Sequence, residues 1–159
     1  MLTNNCNERQ TLKWEIALHP SSYFDFLLLS FDFSPSYFCR LMEIYKDFSF
    51  DSAHFLPHVP DGHKCKNMHG HTYKLRVFVK GQPHPHLGWV MDFKELKDIV
   101  NPIIDQLDHK LINEIDGLQN PTAENITVWI WNKIRPLLTN LSKVELYETP
   151  TTGVIYSGD

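Results

Sequence analysis

Between His69 and Lys80 the chain reads HGHTYKLRVFVK, and its character changes with every residue. His71, Tyr73, Leu75, Val77 and Val79 fall on one face. Thr72, Lys74, Arg76 and Lys80 fall on the other, with Phe78 the one apolar residue among them. A period of two marks a strand with one face in a core, and a slip of one residue would turn that whole face to solvent. The stretch from Met42 repeats the pattern. Met42, Ile44, Phe48, Phe50 and His54 share one face; Glu43, Asp47, Ser49 and Asp51 share the other. Two such strands joined through residues 56–68 predict a hairpin.

Downstream the period becomes helical. Asp92 predicts an N-cap, with Glu95 at the third helical position as in a capping box. Phe93, Leu96, Val100, Ile103, Ile104 and Leu107 follow at helical spacing, and Pro102 is expected to kink or shorten that helix. Residues 81–88 read as a turn or loop, 89–91 as a short extended piece and 107–121 as a loop. A second helix is expected from about Thr122, with Ile126, Trp129, Ile130, Ile134 and Leu137 on its apolar side, ending near Pro136. Val144, Leu146 and Glu148 predict a strand face, and residues 154–156 a last strand. The order β-β-α-α-β-β implies an antiparallel sheet with two helices on one face, an α+β domain over residues 42–159. Residues 1–41 lack a sustained period. They are expected to be a dispensable extension upstream of a start at Met42, the alternative being an arm that packs on the domain or on a partner.

Composition narrows the class. The chain has 159 residues, enough for one domain with a core, and its net charge of −4 gives no basic stripe for nucleic acid. No run approaches the ~20 apolar residues of a membrane span, and no signal peptide is expected. Cys6, Cys39 and Cys65 are odd in number and widely spaced, which argues against a disulfide framework and for a reducing, cytoplasmic compartment.

Nine histidines direct attention to metal chemistry. His69 and His71 are two apart on a strand, so their imidazoles share a face. His54 ends the apolar face of the partner strand and can join them. Three neutral imidazoles with an open fourth position suit a catalytic zinc ion. Cys65 stays open at this point. It can close the site as a fourth ligand, stand beside the metal as base or nucleophile with Lys64 and Lys66 favouring its thiolate, or be a structural thiol. Asp108 and His109 can form a proton relay, but adjacent side chains often point apart, and a surface loop is as good a reading. Glu148 sits on an apolar strand face, where an unpaired carboxylate is costly. It reads as an anchor for an N–H/NH2 edge, such as that of guanidine or a pterin, or as a strand-end residue reaching solvent. Glu124 reads as a first-turn acid that complements the helix dipole, the alternative being a role in ligand binding. His63 and Lys64 are candidate contacts for a substrate phosphate.

The segments FSFDSAHFLP, GHKCKNMHGHTY, GWVMDFKELK, LDHKLIN, NPTAENI and ETPTTGVIY resemble, in order, the 6-pyruvoyl-tetrahydropterin synthase family from Met42 to Asp159. Within it the resemblance is to the bacterial 6-carboxy-5,6,7,8-tetrahydropterin synthase branch of queuosine biosynthesis. It implies a tunnelling fold (T-fold), in which three sheets close a barrel and two trimers stack as a homohexamer with active sites between subunits. It implies zinc on His54, His69 and His71, catalytic roles for Cys65, Asp108 and His109, and pterin anchoring by Glu148. A folate-pathway branch carries glutamate at or near the cysteine position; Cys65 argues against that branch. The implied reaction converts 7,8-dihydroneopterin 3'-triphosphate to 6-carboxytetrahydropterin, acetaldehyde and triphosphate. The alternatives are a 6-pyruvoyl-tetrahydropterin synthase, which stops after triphosphate elimination, and a non-catalytic zinc-binding module with Cys65 as the fourth ligand.

Overall fold

The computed structural model describes residues 40–158, so the expected extension lies almost wholly outside the described residues. The first alternating stretch forms β1 (Met42–His54) and the second β2 (His69–Gly81). They pair antiparallel without a break, from Met42 opposite Gly81 to His54 opposite His69. Then come α1 (Phe93–Ile104), α2 (Ala123–Ile134), β3 (Leu141–Thr149) and β4 (Thr152–Tyr156). The sheet order is β1-β2-β3-β4, antiparallel throughout. This is the α+β architecture that the alternation and the helical periods imply.

One face of the sheet supplies Phe50, Tyr73, Leu75, Val77, Val79, Val144 and Leu146 to the core. Leu96, Val100 and Ile103 of α1 and Ile126, Ile130, Trp131 and Ile134 of α2 close over it. Each helix begins at a capping residue. Asp92 accepts the Lys94 N–H at 2.8 Å and Thr122 accepts the Asn125 N–H at 3.3 Å, satisfying donors the helix cannot pair internally. Pro102 does not stop α1, which runs on to Ile104. Among the described residues no helix is long and apolar enough to cross a membrane.

Several expectations need correction. Residues 89–91 form no strand; their loop folds on itself, with the His84 N–H donating to Trp89 O at 2.8 Å and the Gly88 N–H to His84 O at 2.8 Å. Phe93 and Leu137 face solvent, and Trp131 takes a core position instead, because α2 ends at Ile134 before Leu137 can share its face. Phe78, on the polar face, is covered by the Tyr45 ring at 5.5 Å and by the Lys143 ammonium at 3.8 Å from the ring centroid. In β4, where Gly153 stands opposite Tyr147 of β3, the close approach of the two strands requires glycine. A Cβ there would lie 2.5 Å from Tyr147 Cδ1 and 2.8 Å from Leu146 O.

Residues 107–121 are more ordered than a plain loop. They contain a 3₁₀ turn at Ile112–Glu114 and a bridge from Leu111 to Ala53. The polypeptide here runs along the outer edge of β1. The His109 N–H donates to Asp51 O at 2.7 Å, and the Ala53 N–H to Lys110 O at 3.1 Å. The Asp51 N–H donates to Asp108 Oδ1 at 2.9 Å. That N–H, and then the His109 ring, hold the Asp108 carboxyl below the usual carboxylate range.

Two outcomes follow from this packing. Leu146→Ala, at a fully buried position, lowers stability by about 2–5 kcal/mol in denaturant melts, whereas Lys74→Ala on the exposed face changes it by less than about 0.5 kcal/mol. Because the folded Asp108 binds its proton less readily than the unfolded one, its stabilising contribution is complete above the ordinary carboxylate range. It is lost as pH falls through the lowered folded value. Thermal melts of the wild type and Asp108→Asn therefore differ most near neutral pH and converge in acid.

Candidate active site

One end of the sheet gathers the functional side chains. β1 ends at His54, β2 begins at His69, β3 brings Glu148 to its last turn of ladder, β4 begins at Thr152, and α2 starts behind Thr122. These ends surround a cavity of about 610 Å³ whose wall includes His54, His69, His71, Cys65, Glu124 and Glu148.

The three histidines form its floor. Ring centroids lie 4.5 Å apart for His54 and His69, 5.1 Å for His54 and His71, and 5.0 Å for His69 and His71. One ring nitrogen of each falls within 4.8 Å of the others. Backbone carbonyls set two of the tautomers. His54 Nδ1 lies 2.8 Å from Pro121 O, and His69 Nδ1 lies 2.8 Å from Asn67 O. A carbonyl only accepts, so each Nδ1 carries the proton and each Nε2 presents a lone pair. Burial, and then repulsion from the neighbouring rings, lowers the pKa of His54; burial and then His69 do the same to His71. Both stay neutral at neutral pH. The buried His54 Nε2 has no hydrogen-bond partner. An orphaned lone pair in a dry site is costly, and a cation between three imidazoles removes that cost. These residues therefore fit a divalent metal ion.

Cys65 lies on a 3₁₀ turn, Lys64–Lys66, in the wall of the same cavity. Among the described residues, the cluster with ligand atoms within 4.8 Å at this floor consists of the three histidines, and the Cys65 thiol is not part of it. Of the flanking lysines, Lys66 is paired with Asp61, while Lys64 lines the cavity. Glu148 is half-buried, and burial first, then the charge of Glu124, raises its carboxyl above the usual range. Glu124 thus does two things. It sits in the first turn of α2, as its helix-dipole role requires, and it faces Glu148 across the cavity. Only the meeting of α2 with the end of β3 reveals the second.

Asp108 and His109 do point at each other, with Oδ2 to Nδ1 at 2.8 Å. His109 adopts a left-handed φ of 55°, uncommon for a residue other than glycine. Its ring is exposed, so Nε2 is open to solvent. His109 lines a separate hollow with Asp51, Ser52 and Gly70 beside the β1 edge. Neither Asp108 nor His109 lines the cavity that holds Cys65; His71 borders both spaces.

Sequence reasoning missed Asn113. Its Oδ1 accepts the Phe55 N–H at 3.0 Å, and its Nδ2 donates to Phe55 O at 2.8 Å and to Gln119 O at 3.3 Å. This clamp fixes the backbone as it leaves His54. A lone asparagine in a polar loop carries no local signal of such a role.

Three comparisons bear on this site. A model of the 6-pyruvoyl tetrahydropterin synthase family matches residues 43–159. The chain is 40% identical over 119 residues to a 6-carboxy-5,6,7,8-tetrahydropterin synthase of Synechocystis, covering 71% of this chain and 91% of that protein. It is 38% identical over 109 residues to a dihydroneopterin monophosphate aldolase of Pyrococcus furiosus, covering 67% of this chain and 89% of that protein. A structure of the Caenorhabditis elegans 6-pyruvoyl tetrahydropterin synthase superposes with a TM-score of 0.71 at 26% identity, covering 76% of this chain and 97% of that one. From residue 43 onward, the chain belongs to the 6-pyruvoyl tetrahydropterin synthase family.

Proposed function

We propose that this protein is a zinc-dependent 6-carboxytetrahydropterin synthase of queuosine biosynthesis. It would convert 7,8-dihydroneopterin 3'-triphosphate and water to 6-carboxy-5,6,7,8-tetrahydropterin, acetaldehyde and triphosphate. The observation that carries the reading is three imidazoles with converging ring nitrogens beside an uncommitted thiol and a carboxylate pair, all in one cavity. Similarity to the Synechocystis protein of that name supports the choice of reaction.

His54, His69 and His71 hold the ion. Zinc suits three imidazoles with an open position and, when bound, supplies a Lewis acid for the hydroxyl oxygens on the substrate's three-carbon tail. Glu148, with Glu124 beside it, accepts hydrogen bonds from the N–H/NH2 edge of the pterin and so holds the reacting carbon near Cys65. Cys65, as thiolate, takes the proton from the C–H next to the ring. His109, oriented by Asp108, returns and shuttles protons as triphosphate leaves and the carbon–carbon bond of the tail breaks. The domain doing this is residues 42–159, acting in a reducing, cytoplasmic compartment without nucleic acid or membrane partners.

The relay and the thiol occupy different spaces within a single protomer, and this supports assembly as a homohexamer of two trimers. β1 and β4 are the two edges of the sheet. Asp108–His109 lies along β1, while the cavity wall reaches Thr152, Gly153 and Val154 of β4. Three antiparallel steps leave β1 and β4 running oppositely, so the β1 edge of one copy can continue the β4 edge of the next. His109 of one copy then borders the cavity of its neighbour, and the open sheet edges are covered.

A second reading, 6-pyruvoyl-tetrahydropterin synthase, has support from the likeness to the Caenorhabditis elegans enzyme and uses the same residues. Incubation with dihydroneopterin triphosphate separates the two: acetaldehyde accumulates with 6-carboxytetrahydropterin, and its absence alongside triphosphate release would favour the pyruvoyl product. Metal analysis tests the division of labour. Cys65→Ala keeps about one zinc per protomer and loses turnover by at least about 100-fold, whereas His71→Ala loses the zinc. Loss of zinc from Cys65→Ala would instead indicate a closed site and a non-catalytic module.

A further inference from the structure

The turn that carries Cys65 is held by hydrogen bonds at both ends. The Leu56 N–H donates to Cys65 O at 2.8 Å. The Cys65 N–H donates to His63 Nδ1 at 3.2 Å. His63 is the N-cap of the turn, with extended backbone, and its own carbonyl accepts the Lys66 N–H at 3.0 Å. At the far end Asn67 O accepts from His69 Nδ1 at 2.8 Å. The thiol-bearing segment is therefore held between the His63 ring and one of the three histidines that face the metal.

The chemistry of the His63 contact is specific. N-caps are normally Ser, Thr, Asp or Asn, whose side-chain oxygen reaches a backbone N–H two or three residues on. Histidine Nδ1 stands two bonds beyond Cβ, as Asn Oδ1 does, and can substitute for it. To accept, Nδ1 must be bare, so the neutral ring carries its proton on Nε2. That orientation turns the acceptor inward to Cys65 and leaves the donor facing away.

We propose that His63 is a positioning residue for Cys65. Its Nδ1, by accepting the Cys65 N–H, sets where the thiol sits in the cavity wall. The inference rests on the reading of Cys65 as the catalytic base. It also departs from the expectation that His63 meets a substrate phosphate, which would use Nε2.

Two substitutions divide these roles. Asn keeps an acceptor at the Nδ1 position; Gln keeps a polar group near the Nε2 position and loses the cap. In the full-length, zinc-loaded protein, His63→Gln lowers kcat about tenfold with KM within about twofold. It also speeds iodoacetamide alkylation of the half-buried Cys65 several-fold, followed by mass spectrometry of the Cys65 peptide so that Cys6 and Cys39 do not interfere. His63→Asn restores both readouts to near the wild-type level, with zinc content equal in all three proteins. The proposal is overturned if Gln preserves both readouts, or if Asn and Gln fail equally with a raised KM, as a phosphate contact requires. Cys65→Ala in the same series separates the two readings. Retained turnover there sinks the catalytic role of Cys65, while the alkylation rates still report on the clamp. A dead Cys65→Ala with an unaffected His63→Gln sinks the clamp alone.

Discussion

His54 stands directly opposite His69 because β1 and β2 pair without a bulge over their whole length. The rest of the site depends on that register. Parity puts His71 on the same face two residues further, and the same parity sends Phe50, Tyr73, Leu75 and Val77 into the core. The hydrophobic effect thus enforces the geometry of the histidines. A slip that moved the imidazoles apart would also expose the apolar face of the longest strand pair.

Gathering these groups costs stability that the core must offset. His54 and His71 are kept neutral by burial and by repulsion from neighbouring rings, and His54 has an unpartnered Nε2. Two carboxylates share the cavity, one raised by burial and by its neighbour. The Tyr73 ring packs against His54 and His71, and its hydroxyl is buried without a partner. Such unsatisfied groups concentrate where a fold has been shaped for a ligand. Around them the backbone is well supplied with bonds: Pro121 O and Asn67 O orient two rings, and Asn113 clamps the backbone next to His54. His54 Nε2 is left without a partner while the groups behind it are tied down.

Membership of the family covers the domain from residue 43, but the relatives carry different activities on a shared frame. The chemistry available to the frame is narrower than the fold. At one cavity this chain gathers three imidazoles with converging ring nitrogens, a carboxylate pair and a thiol on a short turn.

The strand alternation, the caps at Asp92 and Thr122 and the pairing of His69 with His71 were legible in the sequence, because each is a local matter of period or of one side group beside its own backbone. Helix edges were less so. Trp131 and Leu137 exchanged expected places because packing, not spacing, decides which side of a stripe is covered. Spacing could not say whether Cys65 belonged with the histidines; the turn at Lys64–Lys66 leaves its thiol in the cavity wall, outside their cluster. Nor could it foresee that Glu124 would face Glu148, or that Asp108 and His109 would lie along the β1 edge, outside the wall of the cavity that holds Cys65. Those relations join residues far apart in the sequence, and only the docking of α2 and the 107–121 segment against the sheet brings them into being.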